Sequence, residues 1–529
     1  MNSFRSSLLL VCGVALLQFG CTSLKPSRED TAPVIPSAER EFRGVWVATV
    51  ANIDWPSKPG LTTEEQQREA LTILDSCVAL NMNAVVFQVR PHADAMYHSA
   101  LEPWSYYLTG QQGVAPEPYY DPLTFWVSES HKRGLELHAW FNPYRAQLPR
   151  GGEITEHSLV KKKSHLAKLL PNGTYWLDPA NKETQDHSYA VIMDVVRRYD
   201  VDGIHFDDYF YPYGDGNFPD DDTWNAYVAS GGSLSRGDWR RASVNTFVKR
   251  VYDGIKKEKP FVKFGLSPFG IWRPGNPPSI SGFDQYNGLY ADAKLWLNEG
   301  WVDYWTPQLY WPVNQIPQSF PVLLGWWTRE NPKQRNIWPG MIVGRMTDER
   351  GTDEIVNQIM ITRGFVPEGP GHVHFSMKAF LRDSTALNEG LKRGPYRQDA
   401  LVPPSPWLDD EAPTVPLVTT TIVNDTVRIA WTHAAPVDVF RWVVYFKYNT
   451  AWQYVIVNSA DREYVLPMTR TVVERTRARR AQEEQVTERN EVLMGIAVSA
   501  VDRVGNESEK AIVSSIPAPL SQQTPINNQ

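Results

Sequence analysis

Two adjacent carboxylates, Asp207 and Asp208, lie in the stretch VDGIHFDDYFYP at residues 201–212. Like charges side by side raise each other's proton affinity, and burial among aromatic rings adds to the effect. One member of such a pair stays protonated near neutral pH, as a general acid must. Paired acids, rings that stack on sugar faces, and amide, guanidinium and imidazole groups that read hydroxyls suit hydrolysis of a glycosidic bond. A structural alternative has Asp208 capping the next segment and Asp207 tied to His205 or Arg145.

Other chemistries fit the sequence less well. His372 and His374 form its His-x-His, early in a strand candidate, and no other strand supplies a matching histidine, so no metal is expected. No Gly-x-Ser-x-Gly elbow ends a strand, and no glycine-rich phosphate loop follows the first one. No cofactor is expected.

The elements that must hold these groups repeat one grammar. Strand patterns at 42–50, 83–91, 135–144, 201–210, 262–272, 302–311, 336–344 and 371–380 alternate with helical patterns such as TEEQQREALTILDSCVALN and SYAVIMDVVRRYD. Eight alternations of parallel character predict a (β/α)8 TIM barrel, with a doubly wound open sheet as the weaker alternative. Barrel enzymes place their chemistry at the carboxyl ends of the strands. There the chain gathers Asn52, Asp54 and Trp55; Gln88, Arg90 and His92; Asn142, Tyr144 and Arg145; Asp207, Asp208 and Tyr209; Ser267 and Trp272; Gln308, Tyr310 and Trp311; and Ser376 and Lys378. Alternation along the fourth strand sends Ile204 and Phe206 toward the helices and Gly203, His205 and Asp207 inward. The expected substrate contacts are Trp55, Arg90, His92, Asn142, Tyr144, Arg145, His205, Tyr209, Trp272, Gln308, Trp311 and Lys378.

Composition bounds the partners. The 529 residues carry a net charge of -7 and no basic block, so nucleic acid is not expected; 20 Trp and 23 Tyr favour sugar contact. The leader MNSFRSSLLLVCGVALLQFGCTS has Arg5, an apolar run from Leu8 to Leu17 and Gly20 before Cys21. The run is shorter than the ~20 residues that span a bilayer, so it reads as an export signal. It resembles a bacterial lipoprotein leader, which implies a lipid on Cys21 and a membrane-anchored envelope protein, although Gln18 departs from the usual aliphatic residue. Only Cys77 remains in the body of the chain, on the apolar face of a helical pattern, where packing is expected. The divisions are 1–21 leader, 22–40 tether, 41–395 barrel, 396–412 Pro-rich linker, 413–516 an all-β sandwich and 517–529 a disordered tail. The sandwich resembles a fibronectin type III domain in Trp431 and AVDRVGNES, with Ile496 where a tyrosine is usual. Residues 469–490, TRTVVERTRARRAQEEQVTERN, are expected to form a solvated loop or short helix.

The segments EFRGVWVATVANIDWPS, VDGIHFDDYFYPY, GLSPFGIWR and VDYWTPQLYWP, with others between them, resemble the glycosyl-hydrolase-like family 10 proteins of bacteria over residues 41–395. The resemblance implies a (β/α)8 barrel exported to the envelope, often as a lipoprotein, and acting on glycans such as peptidoglycan strands stripped of stem peptides; a monomer is expected. The aspartate pair also looks like that of family 84 hexosaminidases, which use the substrate's acetamido group as nucleophile. By that analogy Asp207 orients the acetamide, Asp208 protonates the leaving oxygen and Tyr310 bonds the acetamide carbonyl. A competing assignment makes Asp207 the nucleophile and takes the acid from an insertion such as the one holding Glu102. Two further alternatives are a non-catalytic glycan-binding lipoprotein and an α-glucan hydrolase; the latter expects a Glu at the end of the fifth strand, where GLSPFG has none.

Overall fold

The computed structural model describes residues 34–214, 217–344, 349–381, 386–476 and 485–513. Cys21, its leader and the tail from 514 lie outside the described residues.

The first strand, Phe42–Val47, pairs in parallel with the second, Ala84–Arg90, and with the eighth, Gly371–Phe375. The third, Glu136–Phe141, the fourth, Gly203–Phe206, the fifth, Lys263–Leu266, and the sixth, Tyr304–Trp305, follow in parallel order. The seventh strand is split. Its first half, Asn336–Ile337, pairs with the sixth, and its second, Gly340–Ile342, with the eighth. Between them stands Pro339, which has no N–H to give a ladder. The sheet therefore closes on itself through this strand, giving a (β/α)8 barrel-like fold.

Local sequence explains the helices. Thr63–Ala79 begins with a capping box in which the Thr62 hydroxyl accepts from the Glu65 N–H and the Glu65 carboxylate accepts from the Thr62 N–H. It buries Ala70, Ile73, Leu74 and Cys77, the i, i+3, i+4, i+7 face that packs on the sheet. Full burial of a side chain such as Ile73 or Leu74 contributes about 1.5–3 kcal/mol.

The barrel interior is aromatic. Phe42, Trp46, Trp140, Tyr304 and Trp338 form one cluster, with Phe42 stacked on Trp338 at 3.9 Å between ring centroids. Glycine makes the room: a Cβ at Gly265 would stand 1.9 Å from the Tyr304 ring, and one at Gly203 2.4 Å from His138 Nδ1. On the opposite faces, Ile204 and Phe206 pack toward the helices as alternation demands, Phe206 against Phe247 and Phe264.

Residues 417–512 form antiparallel sheets with their own core of Val427, Ile429, Trp431, Trp442, Val444, Ile496 and Val498. The expected loop or helix over 469–490 is corrected: Thr469–Thr476 and the long strand beginning at Gln485 pair from Thr469↔Val492 to Thr476↔Gln485. Thr469, Thr471, Val472, Val473, Val486 and Thr487 favour a pleated ribbon over a helix, and cross-strand pairing overrides the charge pattern. This all-β region seats on the amino-terminal end of the barrel. Arg503 bridges Asp202, just before the fourth strand, at 2.9 Å, and Asp200 at 2.5 Å. Trp407, within the Pro-rich segment, donates to Asp303 before the sixth strand at 2.9 Å. The carboxyl-terminal mouth is left to the barrel's own loops.

Candidate active site

Asp207 is the third inward residue of the fourth strand after Gly203 and His205, and it emerges at the mouth. Trp140 and Asn142, successive inward positions of the third strand, stand beside it. Trp140 Nε1 donates to Asp207 Oδ2 at 3.1 Å and Asn142 Nδ2 to Oδ1 at 3.2 Å. The Asn142 carbonyl oxygen accepts from the Arg145 N–H at 2.8 Å, which fixes the amide's orientation. Asp208, one residue on, accepts from the Tyr213 hydroxyl, and Gln308, whose Nε2 donates to the Ser267 carbonyl at 2.9 Å, stands near enough to lower its pKa. The acids are only 5% and 4% exposed.

That burial sets their titration. Desolvation raises the Asp207 carboxyl to about 7; the Arg145 charge opposes it and the Asp208 charge adds to it. Asp208 is also raised by desolvation, against the bond from Tyr213 and the nearby Gln308. The pair therefore holds a proton close to neutral pH.

Aromatic groups surround the pair. The Arg145 guanidinium lies 4.3 Å from the Tyr209 ring and 5.9 Å from that of Trp176. Tyr209 packs against Tyr213, which packs against Phe283 and Phe269, and Phe269 meets Trp311 edge-on at 5.5 Å. Tyr310 is half-buried against Phe375. Burial and the charges of Asp208 and Asp207 raise its hydroxyl well above the usual phenol range.

Beneath the mouth runs a buried hydrogen-bond chain. Ser267 Oγ meets His205 Nε2 at 2.9 Å, His205 Nδ1 meets Tyr304 Oη at 3.0 Å, and Tyr304 Oη meets His138 Nδ1 at 2.8 Å. His138 Nε2 then meets Glu136 at 2.9 Å, and Glu136 meets Lys263 at 2.8 Å. Trp46 Nε1–H can only donate, and it points at His205 Nε2, so His205 accepts there and carries its proton on Nδ1. Desolvation keeps His205 neutral, far below the usual imidazole range.

The structure brings Asn142, Arg145, Tyr209, Gln308, Tyr310 and Trp311 to the region around the pair. Several other expected contacts it does not. Trp55 is fully buried between Phe87 and Trp126 and donates to the Gln66 carbonyl, because the turn at Val50–Asn52 folds the chain back onto the first helix. Tyr144 packs on Phe247 in the helix layer, since the bend at Pro143 ends the alternation of the third strand. Arg90 is closed in a bidentate pair with Glu102, and His92 is buried against Tyr107. His205 is committed inside the barrel. Trp272 stacks on Trp326 and meets Tyr286, among the outer helices. Lys378 is exposed and its backbone N–H donates to Asp54.

Glu102 is also placed. Arg90 and His187 both donate to its buried carboxylate, and Arg90 is the main force holding it down at about 2 despite burial. A carboxyl so paired does not hold a proton for a leaving group. Sequence reasoning missed Trp140 and Tyr213 as partners of the acids. Period-two alternation from Glu136 through His138 finds Trp140; nothing local marks Tyr213 beyond the density of rings in YFYPY.

Residues 41–353 match the family model described as Glycosyl hydrolase-like 10. Glycosyl hydrolase YngK of Bacillus subtilis (strain 168) is 38% identical over 426 residues, 77% of this chain and 82% of that protein. Glycosyl hydrolase DigH of Escherichia coli (strain K12) is 36% identical over 346 residues, 60% of this chain and 78% of that protein. The PgaB glycoside hydrolase domain from Bordetella bronchiseptica is similar in structure over 67% of this chain and 98% of that one, at 12% identity and a TM-score of 0.45, too remote to bear on chemistry.

Proposed function

The chain belongs to the glycosyl hydrolase-like 10 family, and from that premise we propose that it hydrolyses glycosidic bonds in an envelope glycan of 2-acetamido sugars, peptidoglycan strands stripped of stem peptides. The observation that carries this reading is the buried Asp207–Asp208 pair, which keeps a proton near neutral pH at the mouth of the barrel. The expected leader ending at Cys21 would bring the barrel to that glycan on the membrane surface.

Each group has a role that its surroundings suit. Trp140 and Asn142 donate permanently to Asp207 and favour its charged form. A bound acetamide N–H adds a further donor, so the shared proton moves to Asp208. Asp207 then orients the acetamide while Tyr310 donates to its carbonyl, and that oxygen attacks the anomeric carbon. The glycosidic C–O bond breaks, and the leaving oxygen takes the proton of Asp208. Water next opens the cyclic intermediate and returns a proton to Asp208. A direct nucleophilic role for Asp207 requires a second acid in reach. Glu102 is locked to Arg90, and Asp54 accepts from the Ala48 and Lys378 backbone and from Ser376.

The test is digestion of amidase-stripped strands by the soluble chain lacking residues 1–21, beside Asp207→Asn and Asp208→Asn, with products identified by mass spectrometry. Wild-type cleavage that falls about 10²–10⁴-fold in each folded variant is the expected outcome. Binding without cleavage by the wild type would replace hydrolysis with glycan capture.

A further inference from the structure

We propose that Arg145 is a carboxylate-reading subsite beside the aspartate pair, which recognises the free lactyl carboxylate on the muramic acid sugar of a stripped strand. The inference rests on the glycosidase reading above and adds to it the reason why removal of the stem peptide matters.

The observation is a buried guanidinium with no direct ion pair, whose nearest charged neighbours are the two acids of the pair itself. Four other buried arginines are ion-paired: Arg43 with Glu41, Arg90 with Glu102, Arg240 with Asp220 and Arg241 with Asp238. Arg145 is 5% exposed, as much as Asp207, yet no carboxylate of the described residues lies within 4.0 Å of it. Arg441 shares this lack of an ion pair, but it sits in the seam between the barrel's amino-terminal end and the all-β region, bonded to the Phe440 carbonyl. Arg145 belongs to the mouth.

Its position is fixed before any ligand arrives. The backbone N–H is held by Asn142, Nη1 donates to the Pro91 carbonyl at 3.2 Å, and the guanidinium carbon stands 4.3 Å from the centre of the Tyr209 ring. Nη1 is taken by Pro91 and the side chain also interacts with the Tyr209 hydroxyl, and the rest of the five-donor fork can meet a planar anion, the group that arginine binds through paired N–H donors. The pair holds a proton and so balances this charge only in part; a buried cation without a direct ion pair is costly, and a ligand carboxylate in contact with it recovers that cost. Asn142 holds both the Arg145 backbone and Asp207, so a carboxylate bound at Arg145 belongs to the sugar whose acetamide meets Asp207, or to its neighbour.

The chemistry of the glycan supplies the discrimination. With the stem peptide attached, the lactyl group ends in a neutral amide that offers the fork one oxygen and no charge. Hydrolysis of that amide leaves a free carboxylate. The guanidinium therefore favours a lactyl group that ends in the free acid over one that ends in an amide.

The experiment compares stripped strands as the free acid with the same strands methyl-esterified at the lactyl carboxylate, using wild type, Arg145→Gln and Arg145→Lys, with thermal melts of each variant. The readout is the ratio of kcat/KM on acid and ester within one protein, which does not depend on the folded fraction or on any change in Asp207 titration. The wild type is expected to favour the acid by about 10- to 100-fold, the range of a charge-assisted hydrogen bond. In Arg145→Gln the ratio is expected to fall close to one, and in Arg145→Lys to an intermediate value. An unchanged ratio in Arg145→Gln, or a wild type that cuts both forms equally, overturns the subsite. Should the wild type cut neither, hydrolysis fails, and calorimetric binding of the two strands decides the subsite: preference for the acid that Arg145→Gln abolishes upholds it, and equal binding overturns it.

Discussion

Replacing Asp207 by Asn separates the stability of the fold from its chemistry. Burial, opposed by Arg145 and reinforced by Asp208, raises this carboxyl from 3.8 to about 7. At about 1.36 kcal/mol per pKa unit, the difference corresponds to about 4 kcal/mol. Between those two values the unfolded chain has released a proton that the folded chain keeps. The folded state binds more protons there, so stability falls as pH rises through the window and levels off above about 7. The Asp207→Asn variant lacks this slope. Denaturant unfolding at pH 5 and pH 8, converted with the measured m values, is expected to show the variant's advantage growing by about 3 kcal/mol between the two, at about 1.4 kcal/mol per pH unit. Activity on stripped strands is expected to collapse in the same protein. Parallel stability profiles for wild type and variant would refute a carboxyl that keeps its proton to neutrality, and with it the acid–base assignment of the pair.

Three other perturbations probe the surroundings. Glu102→Gln leaves the Arg90 guanidinium buried opposite a neutral amide, so a loss of about 3–5 kcal/mol in stability is expected, with kcat/KM of the folded protein within a few-fold of wild type; a drop beyond about 100-fold at unchanged melting temperature would reinstate Glu102 as the acid. Tyr213→Phe removes a hydrogen bond that lowers the pKa of Asp208, so the pair should keep its proton to higher pH; the alkaline limb of kcat is expected to move up by roughly one pH unit, and an unmoved limb would separate Asp208 from the titration that controls the rate. Arg503→Ala strips a partner from Asp202, a buried carboxyl held far below its usual range by Arg503 and His131 against desolvation. A depressed carboxyl stabilises the fold above its unfolded pKa and loses that contribution as pH falls toward the folded one, so melting is expected to show a cost of about 3 kcal/mol at pH 7 that holds down to about pH 4 and shrinks only below it.

Whatever depends on chain neighbours was legible in the sequence. The eight strand patterns mark the eight barrel positions, the face of Thr63–Ala79 that carries Cys77 is its buried face, and alternation correctly turns His205 and Asp207 inward. These follow from periods of 3.6 and 2, which every residue feels locally. The adjacency of the two acids is covalent, so their mutual effect on titration was also readable from VDGIHFDDYFYP. Tertiary structure decided the rest. Trp55 and Tyr144 leave the cleft where a turn and a proline bend interrupt the period. Glu102 loses its candidacy to Arg90, twelve residues away, and His187, eighty-five residues away. The charged ribbon after Thr469 takes its conformation from cross-strand pairing. Arg145 stands out only once the buried arginines and their carboxylates are all in place. Which cation meets which anion is settled by long-range packing, because burial makes an unmatched charge costly and the sequence alone does not show where burial falls.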